Sequence, residues 1–320
     1  MKFIDLHCDT LLKARRDGIT DLYQLQGAMA DPNKLEAGEC LAQCFAIFLP
    51  PKGRPGMVED ELFIQQAYEV YANTLKVHPD RIAAACTAAD IRANEAAGKL
   101  SAILTMEDGR AVEGKMENLE RFYKMGVRMM SLTWNSANCF GAANSKDPEE
   151  MAKGLTPFGK EAIERMNELG MAVDVSHLAD GGFWDVAEIS KKPFMATHSN
   201  CRAICPHQRN LTDEMIRKLA DKGGISGLNY YGAFLNADVT DEKSTAYMIA
   251  RHARHMSNVG GIDCVALGSD FDGIGGELEV DGADKMPLIF DALAKEGFSQ
   301  SEIEKIAYKN AMRFIEDVLK

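Results

Sequence analysis

Short apolar runs recur along the whole chain, spaced so that one helix fits between each pair, and no other feature restricts the fold as much. Eight such runs occupy residues 3–7, 41–49, 102–106, 127–133, 171–175, 194–197, 224–228 and 264–268. They do not alternate cleanly between apolar and polar, the pattern expected of strands buried on both faces. Helix signals fill the intervals. Residues 59–76 carry Phe63, Ala67, Val70 and Leu75 in an approximate helical stripe. Thr87 to Asp90 reads as a helix start with a capping acid, Thr156-Pro157 puts a proline in a first turn, and Thr212-Asp213-Glu214 opens another helix. The tail adds two helices, 287–295 and 299–319.

Eight buried strands alternating with helices are what a parallel (β/α)8 TIM barrel requires, here with extra C-terminal helices. A doubly wound open sheet is the alternative, but the Gly-rich dinucleotide turn that would accompany it is missing, as is any phosphate-binding loop. No Ser/Gly linker or low-complexity tract divides the chain, so residues 1–320 are read as a single barrel domain. The composition, 46% hydrophobic and 26% charged, fits a folded globule with a sizeable core. A net charge of −12 argues against a nucleic-acid partner, which needs a basic face. No apolar run approaches the roughly 18 residues of a membrane span. The eight cysteines sit in apolar or strand-like surroundings, and the Cys40/Cys44 and Cys201/Cys205 pairs lack CxxC spacing. Reduced, buried thiols are expected.

Barrel enzymes place their chemistry at the C-terminal ends of the strands. Five of the eight runs end in metal-binding side chains: His7-Cys8-Asp9, Glu107-Asp108, Asp174-Val175-Ser176-His177, His198, and Asp270. Each alone is a weak signal, since a strand-end histidine is usually structural. The coincidence is stronger, because three of only seven histidines fall at strand ends read independently from apolar runs. His7 and Asp9, two apart on an extended strand, project to the same side. The other four histidines lie in helix or loop contexts, with His252 and His255, three apart on a helix beside Arg251 and Arg254, read as a solvated face. Three histidines, two aspartates and a glutamate suit a two-metal site for zinc or a similar divalent ion. Such a site acidifies a bridging water and polarises a carbonyl, which is metal-assisted hydrolysis.

The ordered set IDLHCDT, the Glu107 strand end, GLTPFGKEAIERMNELGMAVDVSH, FMATHSNCRAICPHQRNLTDEMI and LGSDFDG resembles the membrane dipeptidase (renal dipeptidase) family, zinc-dependent hydrolases of the amidohydrolase superfamily. The likeness runs from Ile4 to Gly273, with a helical tail beyond. It implies that His7 and Asp9 bind one ion, that Glu107 bridges two, and that His177 and His198 bind the second. It further implies that Asp270 takes a proton from metal-bridging water, leaving the attacking hydroxide, and passes it to the leaving amine, and that Arg209 forks onto the free carboxylate of a dipeptide. L-Xaa-D-Xaa dipeptides are among the substrates so implied, and a homodimer is the implied assembly. Asp272 is read instead as a carboxylate that orients a loop.

Two departures from the family pattern stand out. Family members resembling the animal enzyme carry an oxyanion-stabilising histidine after the fourth strand, where this chain has Trp134 in Leu132-Thr133-Trp134-Asn135. Asn135, Asn138 or the Trp134 indole are the replacement donors to consider, alongside a purely packing tryptophan. The animal proteins are also secreted and lipid-anchored, whereas this chain starts at the metal motif and ends at Lys320 without an apolar tail. A cytoplasmic protein with no membrane partner is therefore expected. Two other readings compete: an amidohydrolase of cyclic amides, lactones or N-acyl amino acids, and a non-catalytic metal- or peptide-binding barrel.

Overall fold

The structure is a computed structural model that describes residues 1–51, 58–238 and 240–320. Every apolar run coincides with a strand, to within two residues at either end: β1 (Phe3–Cys8), β2 (Cys40–Phe48), β3 (Leu100–Glu107), β4 (Met129–Ser131), β5 (Ala172–Asp174), β6 (Met195–Ala196), β7 (Ile225–Leu228) and β8 (Val265–Leu267). All neighbours are parallel, in the order β2-β1-β8-β7-β6-β5-β4-β3, and β2 pairs with β3 to close an eight-stranded barrel. A short strand that the sequence does not announce, Ile82–Ala84, pairs with Leu100–Ala102 of β3. It uses the edge that β4 takes up only from Thr105 onward.

Helices Ala88–Ala96, Pro157–Leu169 and Asp213–Asp221 begin where the capping signals place them, and Asp60–Val77 and Pro287–Lys295 fall on the other helical stretches read from the sequence. Thr87, Thr156 and Thr212 each accept the backbone N–H three residues on, and Asp90 completes a capping box with Thr87. Met116–Met125, Asp180–Ile189 and Ala246–Gly260 join these helices in the outer layer, and the shorter Thr10–Arg16 and Pro32–Ala37 connect β1 to β2. The tail helix is less regular than expected: Gln300–Glu304 and Asn310–Val318 are joined by a π-helical turn at Lys305–Lys309.

Two apolar clusters follow from this layering. One takes residues from every barrel strand, including Ile4, Ala42, Ile103, Met129, Ala172, Met195, Ile225 and Ala266, and so fills the barrel interior. Ala311, Phe314, Ile315 and Val318 of the last helix belong to the same cluster, and that helix packs on β1, β7 and β8. The tail therefore plugs one end of the barrel, and polar strand ends occupy the other. The larger cluster lies between the strands and the surrounding helices. No helix among the described residues is long and apolar enough to cross a membrane.

Candidate metal centre

Parallel register decides which strand ends meet. Phe48, Glu107, Ser131 and Asp174 lie at one level across β2, β3, β4 and β5. Beyond their paired residues, β1 and β8 are stitched by Asp270 N–H to the His7 carbonyl at 3.2 Å and Asp9 N–H to the Phe271 carbonyl at 2.8 Å. Asp5, buried on β1, accepts both the N–H and the hydroxyl of Ser269 at 2.7 Å. These bonds carry His7, Asp9 and Asp270 to one spot although Asp9 and Asp270 lie 261 positions apart in the chain. His177 and Asp270 both have left-handed backbones, with φ of 68° and 64°. Such strain costs on the order of 1–2 kcal/mol for a residue with a Cβ and concentrates where geometry is functional.

All six acid and imidazole residues singled out in the sequence converge. The two oxygens of Glu107 face different partners. Oε2 lies 3.5 Å from His7 Nε2, while Oε1 lies 3.0 Å from His177 Nε2 and 3.5 Å from His198 Nε2. His7 Nε2 is also 3.9 Å from Asp9 Oδ1 and 3.8 Å from Asp270 Oδ1. His177 and His198 bring their Nε2 atoms within 3.0 Å of each other. His7, Asp9, Glu107, His177 and His198 are buried and Asp270 is partly so.

A cluster of this kind is not self-satisfied. Among the described residues, His7 Nε2 and Asp9 Oδ1 are buried without a hydrogen-bond partner. Burial and then the neighbouring Glu107 hold the Asp9 carboxyl well above its ordinary range. Burial likewise raises Asp270 to about 6, with Glu107 adding to the effect and His7 opposing it. Burial works against a charged His7, yet Glu107, Asp9 and Asp270 together lift it to about 10. His177 moves the other way, to about 4, through burial and the nearby Arg209. Three carboxylates and three imidazoles with converging lone pairs and buried, unpaired donor atoms fit divalent cations. Two overlapping sets, His7/Glu107/His198 and His7/Asp9/Asp270, bring their donor atoms within 4.8 Å.

The cluster floors a cavity of about 360 Å³, walled by Leu12, Arg16, Phe48, Trp134, Tyr231 and Glu242 among others. Arg209 is buried beside it and lines an adjoining cavity of about 450 Å³ that shares Asn135, His177 and Phe234 with the first. Its guanidinium donates to Ser199 Oγ at 3.2 Å and to the His198 carbonyl at 3.1 Å, and its Nε is unpartnered among the described residues. Burial lowers it to about 10, so it remains a cation at neutral pH.

Trp134 is a cavity wall rather than a fully buried packing residue, edge-on to Phe48 at 5.2 Å and 6.0 Å from His177. Of its neighbours, Asn138 is spent on Asp108 and the Leu132 carbonyl, both at 2.9 Å. Asn135 accepts from His177 Nδ1 at 2.9 Å. Asp272 organises loops as expected, accepting from Thr10 Oγ1 at 2.6 Å and from Met29 N–H at 2.8 Å. All eight cysteines are free thiols, six of them buried.

Sequence reasoning missed Asn229, whose Nδ2 donates to Asp270 Oδ2 at 2.8 Å. It follows directly on β7, so the strand-end rule points to it, but an amide is not a metal ligand and drew no notice. The solvated reading of His252 is wrong. It is fully buried, accepting from Cys201 N–H at 3.1 Å through Nδ1 and reaching the Leu235 carbonyl at 3.0 Å through Nε2. His255 is only partly exposed and bonds Asp213 at 2.7 Å.

Fold and site together define a (β/α)8 barrel with a histidine–carboxylate metal cage at the C-terminal ends of its strands. The family model for membrane dipeptidases (peptidase family M19) matches residues 1–320, and the chain belongs to that family: it is a metallopeptidase that cleaves dipeptides. An uncharacterized protein from the pqqA 5′ region of Klebsiella pneumoniae is 37% identical over 242 residues, 74% of this chain and 89% of that protein. Dipeptidase aclJ of Aspergillus oryzae is 30% identical over 317 residues, 95% of this chain and 73% of its own. The crystal structure of dipeptidase AC, a metallopeptidase, superposes with a TM-score of 0.91 at 26% identity, covering 100% of this chain and 99% of that one. A Rhodobacter sphaeroides metallopeptidase, liganded with a phosphinate mimic of the dipeptide L-Ala-D-Ala, gives 0.88 at 26% identity, with 99% of each chain covered.

Proposed function

We propose that this chain is a binuclear zinc dipeptidase acting on free dipeptides, L-Xaa-D-Xaa among them. The observation that carries the reading is the division of Glu107: one oxygen faces the His7 side, the other faces His177 and His198. In this reading His7 and Asp9 hold one ion, His177 and His198 the other, and Glu107 both. When bound, the ions supply a nucleophilic water at neutral pH and polarise the scissile carbonyl. Imidazole and carboxylate donors without thiolate suit zinc.

The protein's own groups do the rest. Asp270 takes the proton of the attacking water and delivers it to the leaving amine, with Asn229 holding its second oxygen. Arg209 anchors the substrate's terminal carboxylate; two of its five N–H groups are used internally, which leaves donors for a bidentate grip. Phe48 and Trp134 form an apolar wall along the same cavity. The stereochemical reach to a D-residue is supported by the Rhodobacter sphaeroides relative and its L-Ala-D-Ala mimic.

Comparing free with C-terminally amidated dipeptides, in wild type and Arg209→Ala, tests the carboxylate grip. Amidation should lower kcat/KM by about 10²-fold or more in the wild type and little in the variant, since the desolvated cation then lacks its partner. Indifference to amidation in the wild type would point instead to an amidohydrolase of cyclic or N-acyl substrates.

A further inference from the structure

Behind the metal cluster lies a buried carboxylate that the proposed reaction does not use. Asp174 ends β5, is 1% exposed, and has no Lys or Arg paired with it among the described residues. Its Oδ1 accepts the backbone N–H of Ser176 at 2.9 Å and that of Thr197 at 2.8 Å. Its Oδ2 takes the hydroxyls of Ser131 and Thr197, the latter at 2.6 Å. A buried negative charge would be costly unless donors surrounded it, and four do.

Thr197 is the informative partner. Its Oγ1 also lies 2.8 Å from His198 Nδ1. A hydroxyl has one proton, and an ionised carboxylate can only accept, so Thr197 donates to Asp174 and must accept from His198 Nδ1–H. The proton of His198 is thereby assigned to Nδ1, and the lone pair to Nε2, the atom that faces Glu107 and His177. We propose that Asp174 is a positioning residue that acts through Thr197 to fix the tautomer of His198 and to raise its strength as a metal ligand. The inference rests on the binuclear reading above.

The two imidazoles assigned to one ion are then unequal. His177 Nδ1 meets the Asn135 amide oxygen at 2.9 Å, and that oxygen also accepts from Asn144 Nδ2 at 3.2 Å. A neutral amide orients His177, whereas a full carboxylate charge, passed through one hydroxyl, polarises His198. Outer partners of this type are worth 10–100-fold in metal affinity. The effect should be confined to one ion, because His7 and Asp9 share none of these bonds.

Zinc binding to the chelator-stripped full chain, measured by competition with a chromophoric chelator, tests this without reference to turnover. Wild type should bind two equivalents. Thr197→Val, close in shape but lacking the hydroxyl, should weaken one of the two by about 10–100-fold and leave the other within about threefold. Thr197→Ser should restore both, and Asp174→Asn should resemble the valine variant if it folds. Equal affinities for wild type and Thr197→Val would overturn the proposal. So would equal weakening of both ions in the valine variant, accompanied by a lower unfolding midpoint of the zinc-free protein, since that is damage to the scaffold. A wild type that binds fewer than two ions would instead sink the binuclear reading underneath.

Discussion

Asp9 and Asp270 both press against Gly273, where the chain has no side chain. A Cβ on Gly273 would lie 2.4 Å from Asp9 Oδ2 and 2.6 Å from Asp270 Oδ1. Gly273→Ala must therefore shift the Asp9 and Asp270 carboxylates or the Gly273 backbone between them, and with it the geometry of the cluster. Turnover is expected to fall on the order of 10²-fold, as small misplacements do, with little change in the unfolding midpoint. Parallel measurement of both quantities checks this, and unaltered turnover would contradict it. At this scale the convergence of the six acid and imidazole side chains was readable because rare residue types fell at strand ends. Asn135 and Asn229 were harder, since amides are common in loops and nothing in the sequence marks which ones touch a ligand or an acid. His252 was misread for a different reason. Arg251 and Arg254 dominate its neighbourhood, yet Ile249, Ala253 and Met256 form a buried stripe on the same helix, and His252 belongs to it.

Elements were more legible than their edges. Strands buried on both faces announce themselves by apolar runs even when, like Met195–Ala196, only two residues pair as strand. Ile82–Ala84 has three residues and one buried apolar side chain, too little to rise above its surroundings. The tail helix was visible, but its task was not: periodicity shows an apolar face and not the barrel end that the face closes. Phe314 is fully buried among the residues filling the barrel. Phe314→Ala should cost about 3–5 kcal/mol by leaving a cavity there. Urea unfolding followed by circular dichroism would measure it, and a loss below about 1 kcal/mol would mean that the last helix only rests against the barrel.

For the molecule as a whole, the cage couples pH to stability. His7 is raised from an ordinary 6.5 to about 10, against burial and through Glu107, Asp9 and Asp270. A raised histidine contributes stability that is complete below its unfolded value and lost as pH climbs through its folded one. The chelator-stripped protein should therefore lose stability between about pH 7 and 10, as the proton that separates three carboxylates departs. With zinc supplied, cations take over that role, and the loss should be smaller. Thermal unfolding at pH 7 and 9.5, with and without zinc, decides the matter; parallel slopes would contradict it. The net charge of −12 had excluded one class of partner and nothing more. The placement of six residues within it carries the functional argument.

The most direct test of that argument is to strip the protein with chelator and follow hydrolysis of a free L-Xaa-D-Xaa dipeptide as zinc is returned. Activity should vanish on stripping and return fully at two equivalents, while Asp270→Asn binds the same zinc and stays about 10²–10⁴-fold slower. Full recovery at one equivalent, activity that survives chelation, or an Asp270→Asn variant near the wild-type rate would contradict it.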